Sequence, residues 1–157
     1  MGWDLTSLAL LCALAALLIS AAIEDLRIRE IADWKNIAIA VLAPLFWWSQ
    51  GLALWPDVAI QLALGLAVFL LFAGAFALGQ MGGGDVKMLG ALALWFPWSN
   101  LVTLLMVMAI AGGVITVIML VERRLRRTEA QPEIPYGVAI AFAGLVTLHQ
   151  PILNHFA

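Results

Sequence analysis

Residues 82–98 read Gly-Gly-Gly-Asp-Val-Lys-Met-Leu-Gly-Ala-Leu-Ala-Leu-Trp-Phe-Pro-Trp. Three glycines and a carboxylate, Asp85, open an apolar run whose only charge is Lys87. A glycine run interrupts a helix and permits backbone angles closed to other residues. If this stretch lies at membrane depth, irregular backbone is tolerated only where protein buries it or a water-filled cavity meets it. An acid there is costly and marks a functional position. Gly82–Gly84 therefore predict a break between two membrane helices, a cavity at the break, and Asp85 at its floor.

Composition supplies the membrane. The chain is 64% apolar and 11% charged over 157 residues, the profile of an integral membrane protein with no room for a separate soluble domain. Residues 1–157 are expected to form a single membrane-embedded domain. The one cysteine, Cys12, excludes a disulfide framework or a cysteine-based metal site within the chain and is expected to be a small packed hydrophobe. The first apolar run, Leu5–Ile23, has no Lys or Arg before it and Arg27 and Arg29 after it. A secretory signal has the opposite order, so the run is expected to be a retained first span.

Working outward, charges punctuate six apolar segments: Leu5–Ile23, Ile37–Trp55, Val58–Leu78, Val86–Trp98, Leu101–Val121 and Tyr136–Leu153. They lack the alternation of barrel strands, and lipid otherwise admits only helices. The expected fold is an all-α integral membrane protein of six transmembrane helices. Arg27, Arg29 and Lys35 fall after the first segment, Lys87 after the third, and Arg123, Arg124, Arg126 and Arg127 after the fifth. The other connections carry no Lys or Arg. Positive residues gather in the cytoplasm, so both termini are expected outside. Trp3, Trp47, Trp48, Trp55, Trp95 and Trp98 fall near the outer boundary, as an aromatic belt would. The stretch Glu24–Asn36 reads as a short interfacial helix with a solvated charged face. The arginine cluster reads as a topology signal near lipid headgroups rather than a nucleic-acid patch.

A second acid, Asp25, follows the first segment and shares the cytoplasmic side with Asp85. Counted along straight helices, Asp85 lies deeper than Asp25 by roughly 10 Å, so a meeting needs tilt, a bent helix or a different outer boundary. Two carboxyls in one pocket cannot both ionise easily and can share a proton. One then acts as base toward water while the other polarises a carbonyl. Blander roles exist for each: Asp85 as a cap of the fourth helix or a partner of Lys87, and Asp25 as a partner of Arg27 or Arg29. His149 and His155 fall toward the outer end, so no metal site is expected, and no cofactor is called for.

The residues that raise these questions also resemble a family. Gly82-Gly83-Gly84-Asp85-Val86-Lys87 is similar to the Gly-x-Gly-Asp-x-Lys segment of the type IV prepilin peptidases, which are membrane aspartic proteases. Ile134-Pro135-Tyr136-Gly137-Val138-Ala139 resembles the family's Pro-Tyr/Phe-Gly-x-Ala stretch. Asp25 followed six residues later by Ile31 resembles its first catalytic acid. The resemblance implies catalytic roles for Asp25 and Asp85, turn-shaping by Gly82 and Gly84, an edge-marking role for Lys87, and a cavity lined in part by Tyr136 and Gly137. It implies a prepilin or prepilin-like substrate with a hydrophobic helix, cleaved at the cytoplasmic face of the inner membrane. The chain looks most like the compact Flp/Tad-type form, for which N-methyltransferase activity is not expected. It departs at Ala32-Asp33, where the family has Pro-Asn. Two other functions fit intramembrane acids: a small proton-coupled transporter, and a non-catalytic pilus-assembly protein that keeps the fold.

Overall fold

The computed structural model describes residues 5–126 and 135–156, with side chains over 5–125 and 135–149. Trp3, Asp4, Arg127, Glu129, Glu133 and Ile134, the polar loop up to Pro135, and the side chains of Arg126 and His155 lie outside the described residues. The helices are α1 (Leu5–Ile28), α2 (Asp33–Ser49), α3 (Ala59–Ala77), α4 (Gly83–Ala93), α5 (Trp98–Arg126) and α6 (Tyr136–Phe156). A short wide helical turn, Leu54–Val58, leads into α3. Among the described residues there is no strand. Three stretches are long and apolar enough to cross a membrane: Leu5–Ile28, Leu54–Ala77 and Trp98–Leu125.

Helix α4 lies at the centre and packs against α2, α3 and α6, while α6 also packs on α1 and α5. Its residues from Val86 to Ala93 are buried except Lys87. The outer helices turn apolar side chains away from the core: Leu66, Leu70 and Leu71 of α3 and Ile110, Val117 and Ile118 of α5 are exposed. That polarity suits a lipid surround, where large apolar groups need no burial. Small residues let backbones approach. A Cβ on Gly144 of α6 would lie 2.8 Å from Leu18 and 3.1 Å from Leu92, and one on Gly90 of α4 would lie 3.0 Å from Phe69.

Helix ends explain the connections. Helix α1 stops where Arg29 takes a positive φ of 57°, with its N–H bonded to the Asp25 carbonyl at 3.1 Å. Helix α3 stops before Gly79, whose φ of 69° is the left-handed conformation common just past a helix end. Thus α1 runs past Ile23, and α2 starts at Asp33 rather than Ile37. The expected interfacial helix at Glu24–Asn36 does not exist as a separate element. Residues 29–32 are a tight linker, and the charges flanking it are held inside helices by partners. Lys35, 5% exposed, bridges Glu24 at 2.9 Å and donates to the Ser20 carbonyl at 3.0 Å. The Glu24 carboxylate also accepts the Ala32 N–H at 3.1 Å.

At 11 residues, α4 is only about 16 Å long, about half of a hydrocarbon core. Its C-terminal carbonyls would be orphaned in the bundle. Trp47 Nε1 and Gln61 Nε2 donate to the Leu94 carbonyl at 2.8 and 3.1 Å, and Trp95 Nε1 donates to the Ile39 carbonyl at 2.9 Å. Trp47 and Trp95 are therefore buried bundle residues, not members of an aromatic belt. Trp48, Trp55 and Trp98 are exposed. Cys12 is exposed too, on the outward side of α1, and not packed as expected; a polarizable apolar side chain is at home against lipid.

The shared Leu94 acceptor predicts non-additive stability. Trp47→Phe and Gln61→Leu should each cost about 1 kcal/mol, because one donor remains. The double variant should lose about 1 kcal/mol more than the sum, measured by unfolding in detergent micelles.

Candidate active site

Asp25 and Asp85 are both buried, 4% and 8% exposed. They line one cavity of about 420 Å³ together with Arg29, Glu30, Asp33 and Gly82–Gly84. They are close enough for the charge of Asp25 to act on Asp85. The depth mismatch computed from straight helices disappears because α4 ends inside the bundle at Ala93 rather than at Trp98, so its start reaches the level of the last turns of α1. A cavity of this size holds several waters at about 30 Å³ each.

Each acid sits at the N-terminus of a helix, where free N–H groups and the helix dipole favour negative charge. Gly82 is the N-cap of α4, with φ −70° and ψ 146°. Asp85 is in the first turn and reaches back to the Gly82 N–H, as an acid three positions past a cap can. Asp25, at the other end of its own helix, meets α6. The Val138 N–H donates to Asp25 Oδ2 at 3.1 Å, and the Gly137 N–H also faces the carboxylate. Gly82, not Asp85, is thus the cap of α4, and Asp85 faces the Gly82 N–H from the first turn while standing on the cavity wall.

The glycines act through volume rather than torsion. Gly82 has ordinary extended angles and Gly83–Gly84 are helical, so the anticipated unusual backbone is at Gly79 instead. A Cβ on Gly82 would lie 3.0 Å from Asp85 Oδ2, and one on Gly84 would lie 3.4 Å from Ile31 Cβ. A Cβ on Gly137 would come within 2.8 Å of Asp25 Oδ2 and 2.7 Å of Ile31 Cδ1. Ile31 is therefore the apolar wedge between the two helix starts.

Other residues fall outside the cavity. The Tyr136 ring lies against Gly112 of α5, 3.5 Å from where a Cβ would be, and neither Tyr136 nor Gly137 lines the cavity. Lys87 is exposed and pairs with Asp33 at 2.7 Å, tying α4 to α2 rather than neutralising Asp85. His149 is exposed on α6, and among the described residues no cluster of His, Cys, Asp and Glu could hold a metal ion. Asn36 went unnoticed in the sequence. It is 4% exposed, and its Nδ2 donates to the Gly84 carbonyl at 3.2 Å. A polar amide facing inward one turn into an apolar helix was the available signal.

Comparison with known proteins points the same way. Residues 12–117 match the model of the type IV leader peptidase family. The prepilin leader peptidase/N-methyltransferase of Stutzerimonas stutzeri is 35% identical over 127 residues, covering 74% of this chain and 43% of that protein. Its namesake in Pseudomonas aeruginosa is 37% identical over 82 residues, covering 52% of this chain and 27% of that protein. The one in Pectobacterium carotovorum subsp. carotovorum is 29% identical over 147 residues, covering 91% and 50%. The chain thus spans half or less of the length of these relatives. No solved structure matches it significantly. With two acids on one cavity and a family match that takes in both of them, the chain belongs to the type IV leader peptidase family.

Proposed function

We propose that the protein is an aspartic endopeptidase that removes the leader peptide of type IV prepilin-like proteins at the cytoplasmic face of the inner membrane, with Asp25 and Asp85 as its catalytic pair. The observation that carries the reading is the shared cavity: two acids distant in sequence, both buried, each met by helix N-terminal amides. The pair holds one proton between them. The ionised member takes a proton from water as the water oxygen attacks the scissile carbonyl carbon. The protonated member hydrogen-bonds the carbonyl oxygen, and the intermediate collapses with a proton delivered to the leaving amine. Gly82 and Gly137 keep the space the two carboxyls occupy. The linker 29–32, pinned by Glu24, Lys35 and Ile31, forms the cytoplasmic rim.

The chain acts as one membrane-embedded unit of six helices with both termini outside, α4 covering about half of the hydrocarbon core and the turn at 94–97 continuing that pass inside the bundle. In support, Arg27, Arg29, Lys35 and Lys87 lie at the end of the bundle that carries the acids, in the pattern that positive-inside assigns to the cytoplasm. The substrate is a prepilin whose hydrophobic helix sits in the bilayer beside the enzyme.

Co-expression with a prepilin, read by pilin gel mobility, tests the mechanism. Asp25→Asn and Asp85→Asn should each slow processing by about 10²-fold or more while remaining folded in micelles. Wild-type processing in either variant sinks the reading. A wild-type protein that binds prepilin yet leaves the leader attached would be the non-catalytic assembly factor.

Gly137→Ala should destabilise the fold by about 1–3 kcal/mol through overpacking and abolish processing by displacing Asp25. Gly113→Ala, where a Cβ meets nothing within 4 Å, should be neutral or slightly stabilising. Thermal unfolding and the processing assay check both.

A further inference from the structure

Beside the acid cavity runs a second depression, about 530 Å³, between α2 and α3 with α4 as its floor. Its walls are Ile37 and Ala40 on one side and Leu62 and Leu66 on the other, over Gly90 and Ala91. From Leu62 to Phe69 it extends about 10 Å, two helical turns. Asp33 lines both this crevice and the acid cavity, so the two adjoin.

A second observation comes from Asn36, which also lines the crevice. Its Nδ2 is engaged by the Gly84 carbonyl, which fixes the amide orientation, and its Oδ1 is buried without a hydrogen-bond partner. An acceptor without a donor, shielded at the crevice wall, suits a helix N-terminus that displaces its cover, since the first N–H groups of a helix have no partners within it. Charge agrees with that polarity. With Asp33 paired to Lys87 at the crevice wall, the adjoining cavity carries Asp25, Glu30 and Asp85 against Arg29, an environment that favours the positive end of an incoming helix dipole.

We propose that the α2–α3 crevice receives the N-terminal turns of the substrate's hydrophobic helix, with Asn36 Oδ1 accepting one of its free N–H groups, and so delivers the segment preceding that helix to the two acids. The assignment rests on the prepilin-processing reading. The crevice between α5 and α6, lined by residues such as Val107, Val114 and Phe142, is the competing site. It is wholly apolar and shares no residue with the acid cavity.

Cysteine cross-linking in membranes decides between them. The probe is a co-expressed prepilin with single cysteines in the first two turns of its hydrophobic helix. The enzyme carries Cys12→Ala and Asp85→Asn, with one cysteine introduced at Ile37, Leu66, Val114 or Phe142. Cross-links are expected at Ile37 and Leu66 and absent at Val114 and Phe142. Equal yield at all four positions, or equal yield with an unrelated single-span helix, would show a lipid-filled crevice only and overturn the proposal, as would cross-links confined to Val114 and Phe142. In the otherwise wild-type enzyme, Ala40→Leu should raise KM about tenfold with kcat within about twofold, whereas Ala111→Leu should change neither. An unchanged KM in Ala40→Leu also overturns it. If cross-links form at Ile37 and Leu66 but the wild-type enzyme leaves the leader attached, the peptidase reading fails and the docking site stands.

Discussion

Helix α4 is too short to cross a hydrocarbon core, and the bundle is arranged around that shortfall. A backbone end inside a membrane protein must find partners, since neither lipid nor neighbouring apolar side chains offer any. Here the indole of Trp47 and the amide of Gln61 supply them at Leu94, and the Trp95 indole, donating to the Ile39 carbonyl of α2, ties the α4–α5 turn to the same level. With its C-terminus fixed there, the N-terminus of α4 falls at the depth where α1 ends and α6 begins. The acid cavity exists because of that coincidence of levels.

The acids themselves are held by a related device. Among the described residues neither acid forms an ion pair: Lys87 and Lys35 are taken by Asp33 and Glu24, and Arg29 acts on Asp25 only across the shared cavity. Backbone amides at the starts of α4 and α6 face the carboxylates instead. Amides hold an oxygen in place without cancelling its charge by a counter-ion, which leaves the pair free to take and give a proton. Ile31 then separates the two helix starts, and the Glu24–Lys35–Ser20 contacts keep the linker that carries it short and fixed.

Much of this was legible in the sequence. The glycine run before Asp85 located the cavity floor, and the apolar runs located every helix, because both signals are local. Boundaries failed where long-range partners decide them. A charge reads as the end of a span at Ile23, yet Glu24 and Asp25 continue α1, where Lys35 and the Val138 N–H meet them. Tryptophan reads as an interfacial marker, yet Trp47 and Trp95 are buried, their N–H groups donating to the carbonyls of Leu94 and Ile39. The role of Gly137 was only half visible. A glycine in a Pro-Tyr-Gly stretch suggests a special position, but nothing local says that the missing side chain makes room for Asp25. The meeting of Asp25 with α6 depends on helix order in the bundle, which no spacing encodes.

One carboxyl is thus fastened to α6 and the other to α4, and no single element carries both. Asp25 itself is carried by α1, so the gap between them depends on how α6 packs against both α1 and α4. Gly144 lies down the shaft of α6 from Asp25, where it lets α6 press against Leu18 and Leu92. It works as a spacer of zero thickness at a fulcrum, and a shim inserted there would open the jaws at the far end without touching either tooth.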